Sequence, residues 1–362
     1  MIANKSLTTA MINGMVLATL VLGHVADVCA VSPGRFQDRL DIPSTFTARA
    51  VISNLIGVCH AGGNYVVVGD GGRILLSADK GKNWVQSSVP VSSPLVACNF
   101  PTPQKGWAVG HDGAILHTVD GGKHWERQLD GRKVGDVMVA YYEKQAHTGD
   151  PKIARALDDA RRIQQEGPSK PFMDVYFENE RSGWVIGAFN MILKTADGGK
   201  TWEPWLERTV NDNAYSLHAL AVADGELFIV GELGLVRRLD RQQNRFVPVK
   251  TPYAGSLFGV SGKPGVVYIY GLRGNVFSSQ DKGQSWQALK QDMGAALVGG
   301  TFLDDGRLVL VSNAGHVLVS NDKGDSFIRT RDTEGMFSTV APVDRNSVIL
   351  VGIRGVRLQS LK

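Results

Sequence analysis

The stretch Thr195–Trp202, TADGGKTW, decides how this chain is read. Near copies stand at Ser77–Trp84 (SADKGKNW), Thr118–Trp125 (TVDGGKHW), Ser279–Trp286 (SQDKGQSW) and Ser320–Phe327 (SNDKGDSF). The chemistry of the octet is that of a turn. Asp79, Asp120, Asp197, Asp281 and Asp322 can accept hydrogen bonds from turn amides. The Ser or Thr two residues earlier closes the turn from the other side. The glycine two residues later permits backbone angles that other residues resist. Trp84, Trp125, Trp202, Trp286 and Phe327 open the next strand and are placed to pack between sheets. The octet therefore predicts a structural clasp between two strands, not a reaction centre.

A second signature precedes most copies: an apolar strand ending in a tight turn. It reads VGDGG at Val68, VGHDG at Val109, IGAFN at Ile186, VGELG at Val230, YGLRG at Tyr270, VSNAG at Val311 and VGIRG at Val351. Successive spacings, from Gly69 to Gly352, are 41, 77, 44, 40, 41 and 40 residues. A period near forty built of short alternating strands is the mark of a propeller. The pattern predicts an all-β, seven-bladed β-propeller over residues 31–362, with four strands per blade. The octet is the Asp-box, or BNR repeat. The seventh repeat reaches Lys362 after three strands, so the segment 36–49 is expected to supply the missing outer strand and close the ring.

The spacing of 77 conceals about 36 extra residues between the second and third repeats. Within residues 132–168, Asp150 can cap a helix, Pro151 suits its first position, and Gly167–Pro168 ends it. Ile153, Ala156, Leu157, Ala160 and Ile163 share one face of that helix, and VGDVMVAYYEKQ upstream predicts a partner helix. A helical hairpin lying on the propeller is expected. Topology puts it on the same face as the VGxxG-type turns, which carry Arg273 and Arg354. Long structured insertions are disproportionately functional. The candidate partner-binding residues are therefore Arg273, Arg354, Tyr141, Tyr142, Arg155, Arg161 and Arg162.

Residues 1–30 carry Lys5, a short apolar run over Ala10–Gly23 and VCA at Val28–Ala30, which predicts a Sec signal peptide and a periplasmic protein. Cys59 and Cys98 then remain. They can form a disulfide in an oxidising compartment, but the favoured reading is two buried, unbonded cysteines. The net charge of +4 and the absence of any nucleic-acid motif argue against nucleic-acid binding. The eight histidines are scattered without metal-ligand spacing, and no cofactor is expected. Asp-boxes also occur in sialidases, so a glycoside hydrolase is the alternative function. Asp70, Asp112, Asp174 and Glu232 are its candidate acids, but there is no Arg-Ile-Pro element and no sign that two of them converge.

The stretches Val91–Gly131 and Gly167–Trp202 resemble the photosystem II stability/assembly factor family. The chain is similar to its non-photosynthetic bacterial branch, which carries a like insert before KPF. The resemblance implies a non-enzymatic, monomeric propeller that contacts membrane protein through an arginine-rich face. It further implies an integral membrane partner, such as a resistance-nodulation-division exporter.

Overall fold

The structure, a computed structural model, describes residues 37–289, 293–320, 326–330 and 335–361. The expected signal peptide and Asp322 lie outside the described residues. From Gln37 onward the chain is one unit. Its described residues form seven antiparallel sheets, each an up-and-down meander in chain order. Their innermost strands are Leu55–Ala61, Leu95–Asn99, Phe172–Phe177, Leu217–Ala223, Leu257–Lys263, Leu297–Phe302 and Phe337–Asp344. Each packs on the next, and the last returns to the first. The fold is an all-β propeller.

The apolar signature strands lie second in each sheet and are buried on both faces, which is why they read as unbroken apolar runs rather than alternating ones. Val66–Val68, Trp107–Val109, Trp184–Ile186, Phe228–Val230, Val309–Val311 and Val348–Val351 are at most 1% exposed. Full burial of one such side chain stabilises by about 1.5–3 kcal/mol. The glycine that ends these strands is required by close approach. A Cβ on Gly110 would stand 2.1 Å from the Pro94 carbonyl oxygen, and one on Gly352 would stand 2.0 Å from that of Met336.

Polar clasps join neighbouring sheets near the ring axis. Asn99 Oδ1 accepts from the Phe177 N–H at 2.9 Å. Asp174 Oδ2 accepts from the Leu220 N–H at 2.8 Å. His218 Nδ1 stands 2.8 Å from the Leu257 carbonyl oxygen, and the Ser261 hydroxyl donates to the Gly300 carbonyl at 3.2 Å. The Tyr65 hydroxyl donates to the Pro342 carbonyl at 2.7 Å, tying the first sheet to the seventh. Between the first and second sheets the clasp is covalent. Cys59 and Cys98 form a disulfide with Cα atoms 5.8 Å apart, correcting the expectation of unbonded cysteines. They face each other because they stand on adjacent innermost strands, a proximity that only the closed ring creates.

The Asp-boxes fold as turn clasps. Asp79 accepts from the Asn83 N–H at 2.8 Å and from the Ser77 hydroxyl at 2.9 Å. Ser77 in turn accepts from the Gly81 N–H at 2.9 Å. Asp120, Asp197 and Asp281 repeat this with Thr118, Thr195 and Ser279. The Asn83 backbone N–H holds Asp79 down at about 2, and the Ser285 hydroxyl does the same for Asp281. Trp84 and Trp125 donate their indole N–H to the carbonyls of Gly81 and Gly122. Trp125 and Trp202 are buried, and Trp286 and Phe327 pack at the edge of sheet cores.

Among the described residues the expected outer strand of the seventh sheet is not formed. Among those residues six sheets have four strands and the seventh has three. Residues 37–49 contain no strand. Ser92 N–H donates to the Arg39 carbonyl and Ser44 N–H donates to the Val89 carbonyl. Leu40 is 1% exposed in the core shared by the first two sheets. Residues 39–44 are thus held against the first two sheets, and Ala50 and Val51 pack in the core shared by the first and seventh.

Candidate interaction face

In each meander the turn between strands two and three, and the connection to the next sheet, lie at one end. The Asp-boxes lie at the other. The long insert rises from the first end. Helix α1 (Gly131–Gln145) is capped by Asp130, whose carboxylate accepts the Arg132 N–H at 3.0 Å. Helix α2 (Pro151–Glu166) is capped by Asp150, accepting the Lys152 N–H at 2.8 Å, and ends at Gly167, φ +66°. The two helices lie in close contact at Gly135, where a Cβ would stand 2.4 Å from Gln164 Cα. The expected apolar face is buried in full: Ile153, Ala156, Leu157, Ala160 and Ile163 join Val134 and Met138 in one core with Trp107 and Phe172.

The candidate residues on the helices divide. Tyr142 is 0% exposed. Its hydroxyl donates to Glu207 Oε2 at 2.6 Å and accepts from the Leu206 N–H at 3.0 Å. It anchors α1 and cannot touch a partner, so its assignment as a binding residue is corrected. The connection Leu206–Arg208 covers it. Tyr141 is half-buried, donates to Glu203 Oε1 at 2.6 Å and accepts from Arg208 Nη2 at 3.2 Å. Arg161 and Arg162 are exposed and paired with Glu143 and Asp159 at 3.2 and 2.6 Å. Arg155 is exposed beside Asp212 and bonds its backbone carbonyl. These arginines present a charge-balanced surface rather than a basic patch.

Arg273 and Arg354 are exposed on the turns of the fifth and seventh sheets, away from the helices, which pack on the turns and connections of the second and third. The structure thus does not gather the candidate arginines into one cluster. It shows instead what the turns display. Aligned two residues after the ruler position, the seven turns carry Gly71, Asp112, Phe189, Leu233, Arg273, Ala314 and Arg354. Phe189, Leu233 and Arg273 take φ of +55°, +50° and +57°. Each such position costs a non-glycine residue about 1–2 kcal/mol. Phe189 and Leu233 are also 54% and 58% exposed. Leu272, Ile353, Met336 and Ile52 add exposed apolar surface at the same end. Sequence reading missed this display. The aligned column of turn residues carried the signal, since Phe and Leu have no local reason to stand there.

The four candidate acids do not converge. Asp70 accepts from the Asn54 amide at 2.9 Å, Asp112 from the Ser93 hydroxyl at 2.6 Å, and Glu232 from the Ser216 N–H at 2.8 Å. Each ties its own turn to the incoming connection, on a different sheet. Asp174 lines a central cavity of about 500 Å3 with His218, Phe258 and Tyr270. Burial pushes its carboxyl up to about 7 against the pull of the Leu220 and Val175 N–H groups. Among the described residues no group of three His, Cys, Asp or Glu is placed to hold a metal ion.

The structure defines a propeller whose four candidate acids stand on separate turns and whose helix-bearing end exposes apolar side chains. The family profile described as photosynthesis system II assembly factor YCF48 matches residues 76–149 and 160–336. The chain belongs to that family. Its relatives include the photosystem II assembly protein Ycf48 of Synechococcus sp. (strain JA-2-3B'a(2-13)), 27% identical over 35% of this chain and 41% of that protein. The photosystem II assembly lipoprotein Ycf48 of Synechococcus sp. (strain CC9902) is 26% identical over 46% of this chain, which spans half of that protein (50%). That of Trichormus variabilis is 23% identical over 76% of this chain and 86% of its own length. The solved structure of YCF48 bound to D1 peptide superposes with a TM-score of 0.63 at 17% identity, covering 86% of this chain and 94% of that one. The WD40 propeller domain of Doa1 superposes with a TM-score of 0.60 at 9% identity, covering 90% and 97%. Both likenesses concern the fold.

Proposed function

We propose that this chain is a seven-bladed, non-enzymatic periplasmic scaffold that binds an integral membrane protein or complex and aids its assembly. The carrying observation is membership of an assembly-factor family, joined to an end of the propeller that displays strained, exposed Phe189 and Leu233 beside a packed helical pair. A relative solved with a peptide of D1 supports a protein segment as the ligand class. The apolar turn side chains give the area for such a segment, and Arg273 and Arg354 add charge on the same end. The partner we favour is an exporter of the resistance-nodulation-division type. The periplasmic address rests on the leader-like residues 1–30 and accords with the Cys59–Cys98 disulfide.

The test is site-specific photo-crosslinking in cells. A photoreactive residue at Phe189 or Leu233 should trap an integral membrane protein, and one at Lys200, in an Asp-box, should not. Equal trapping from both ends, or trapping from neither, refutes the reading. Fractionation of the same cells checks the address, which fails if the chain stays in the cytosol.

A further inference from the structure

The seven innermost strands begin alike. In each, the ladder to the next strand skips the second residue, a bulge of the kind that re-aims side chains beside functional sites. That residue and its successor line the central cavity of about 500 Å3. Six of the seven successors are small: Gly57, Ala97, Ala219, Gly259, Gly299 and Thr339. The third sheet carries Asp174 instead. The cavity is therefore ringed by small residues with a single carboxylate among them.

The charge of Asp174 is surplus to the clasp it makes. The Leu220 N–H needs only an acceptor, and Asn99 serves the Phe177 N–H with a neutral amide. Among the described residues no Lys, Arg or His pairs with Asp174, whose partners are the N–H groups of Leu220 and Val175. A carboxylate among apolar side chains is costly without a counter-charge. The wall beside it comes from skipped residues of the fourth and fifth sheets. His218 and Phe258 stack there with ring centroids 5.2 Å apart. The Leu257 carbonyl can only accept, so His218 Nδ1 donates to it, and Nε2 has no protein partner among the described residues. Ile56, Val96 and Val298 make the remaining wall apolar.

We propose that the central cavity binds a small organic amine, its ammonium on Asp174 and its apolar body against Phe258 and the valine-lined wall. The site lies inside the ring and is separate from the partner contact on the turns. A volume of this size falls within the range of about 300–1,000 Å3 usual for small-molecule sites. An ammonium supplies the counter-charge that the protein withholds, and a neighbouring ring face adds attraction for a cation. An anion would meet the one charge of the wall as a repulsion, and a neutral guest would leave that charge unpaired.

The probe is dansylcadaverine, a primary amine on an apolar fluorophore whose emission rises in apolar surroundings, titrated into the full chain. The control is dansyl pentylamide, which lacks only the ammonium. Saturable enhancement is expected, at least tenfold tighter for the amine than for the control. Asp174→Asn should weaken the amine at least tenfold and remove its advantage over the control, as loss of one partner of a buried charge pair does. Ser338→Trp fills the cavity from the seventh sheet and should weaken both probes at least tenfold. It decides the matter if Asp174→Asn fails to fold. Affinity for the amine should rise with pH through about 7, where Asp174 ionises, and the rise should shrink in Asp174→Asn. The other titratable groups lining the cavity are His218 and Tyr270, and burial pushes Tyr270 up to about 12. Absence of saturable enhancement, or equal binding of amine and control, overturns the proposal. Amine binding that survives Ser338→Trp, or survives Asp174→Asn in a folded protein, places the probe elsewhere and overturns it too. None of these outcomes bears on crosslinking from Phe189 or Leu233.

Discussion

Tyr142→Phe tests whether the helical pair is held by one hydroxyl. The ring stays, so apolar packing is unchanged. The lost group sits where no water reaches, since Tyr142 is 0% exposed. Two partners lose it. The Leu206 N–H, bonded at 3.0 Å, becomes a buried donor without an acceptor, which costs about 1–3 kcal/mol. Glu207, whose side chain is 9% exposed, loses a 2.6 Å bond but keeps Arg208 Nε at 3.0 Å, so its share is the smaller one. Together the change should destabilise by about 3 kcal/mol. With an unfolding entropy of about 2.1 cal/mol/K per residue over the unit beginning at Gln37, that is a fall in Tm of about 4 °C. Calorimetry reads the Tm, and limited proteolysis reads whether α1 and α2 become cleavable. Tyr141→Phe is the comparison: its hydroxyl is half-buried, water replaces the lost partner, and the fall should stay under about 1 kcal/mol. Equal effects of the two substitutions, or a Tyr142→Phe protein with unchanged Tm and unchanged cleavage, would refute the anchoring role.

Further outcomes follow from the same geometry. Gly135→Leu forces a side chain against the Gln164 backbone and should destabilise by about 1–3 kcal/mol or loosen the helices, read by denaturant unfolding and by proteolysis. Cys59→Ser with Cys98→Ser opens a crosslink of sequence separation 39. The double variant should lose about 2–4 kcal/mol, and reductant should lower the Tm of the parent but not of the variant. Burial pushes the Asp174 carboxyl from its ordinary value of 3.8 up to about 7. Its contribution to stability is complete below the lower value and is lost as pH rises through the higher one. Tm should therefore decline across that window, and Asp174→Asn should flatten the decline. Identical pH profiles for parent and variant would refute it.

Much of the propeller was legible because its determinants are local. An Asp-box is eight residues whose donors and acceptors satisfy one another within the turn, as at Ser77, Asp79 and Gly81. The helical pair was legible for the same reason. Asp150 and Pro151 start α2, Gly167 ends it, and the apolar spacing from Ile153 to Ile163 selects the buried side. The candidate site was less so. Tyr142 and Tyr141 are adjacent in sequence, yet one is sealed and the other half-open, because the Leu206–Arg208 connection arrives from the third sheet. Phe189 and Leu233 stood in the turn signatures IGAFN and VGELG, but only the fold showed them exposed and at positive φ.

The sequence by itself determined the repeat, the strand-and-turn chemistry within each sheet, and the position and helical character of the insert, since these rest on contacts a few residues apart. Only the tertiary structure decided the Cys59–Cys98 bond, the path of residues 39–44 along the first two sheets, and the burial of Tyr142 beneath the Leu206–Arg208 connection. Each depends on which strands become neighbours when the ring closes. That is settled by the joint packing of seven sheets, whose cores are shared between neighbours and belong to no single repeat.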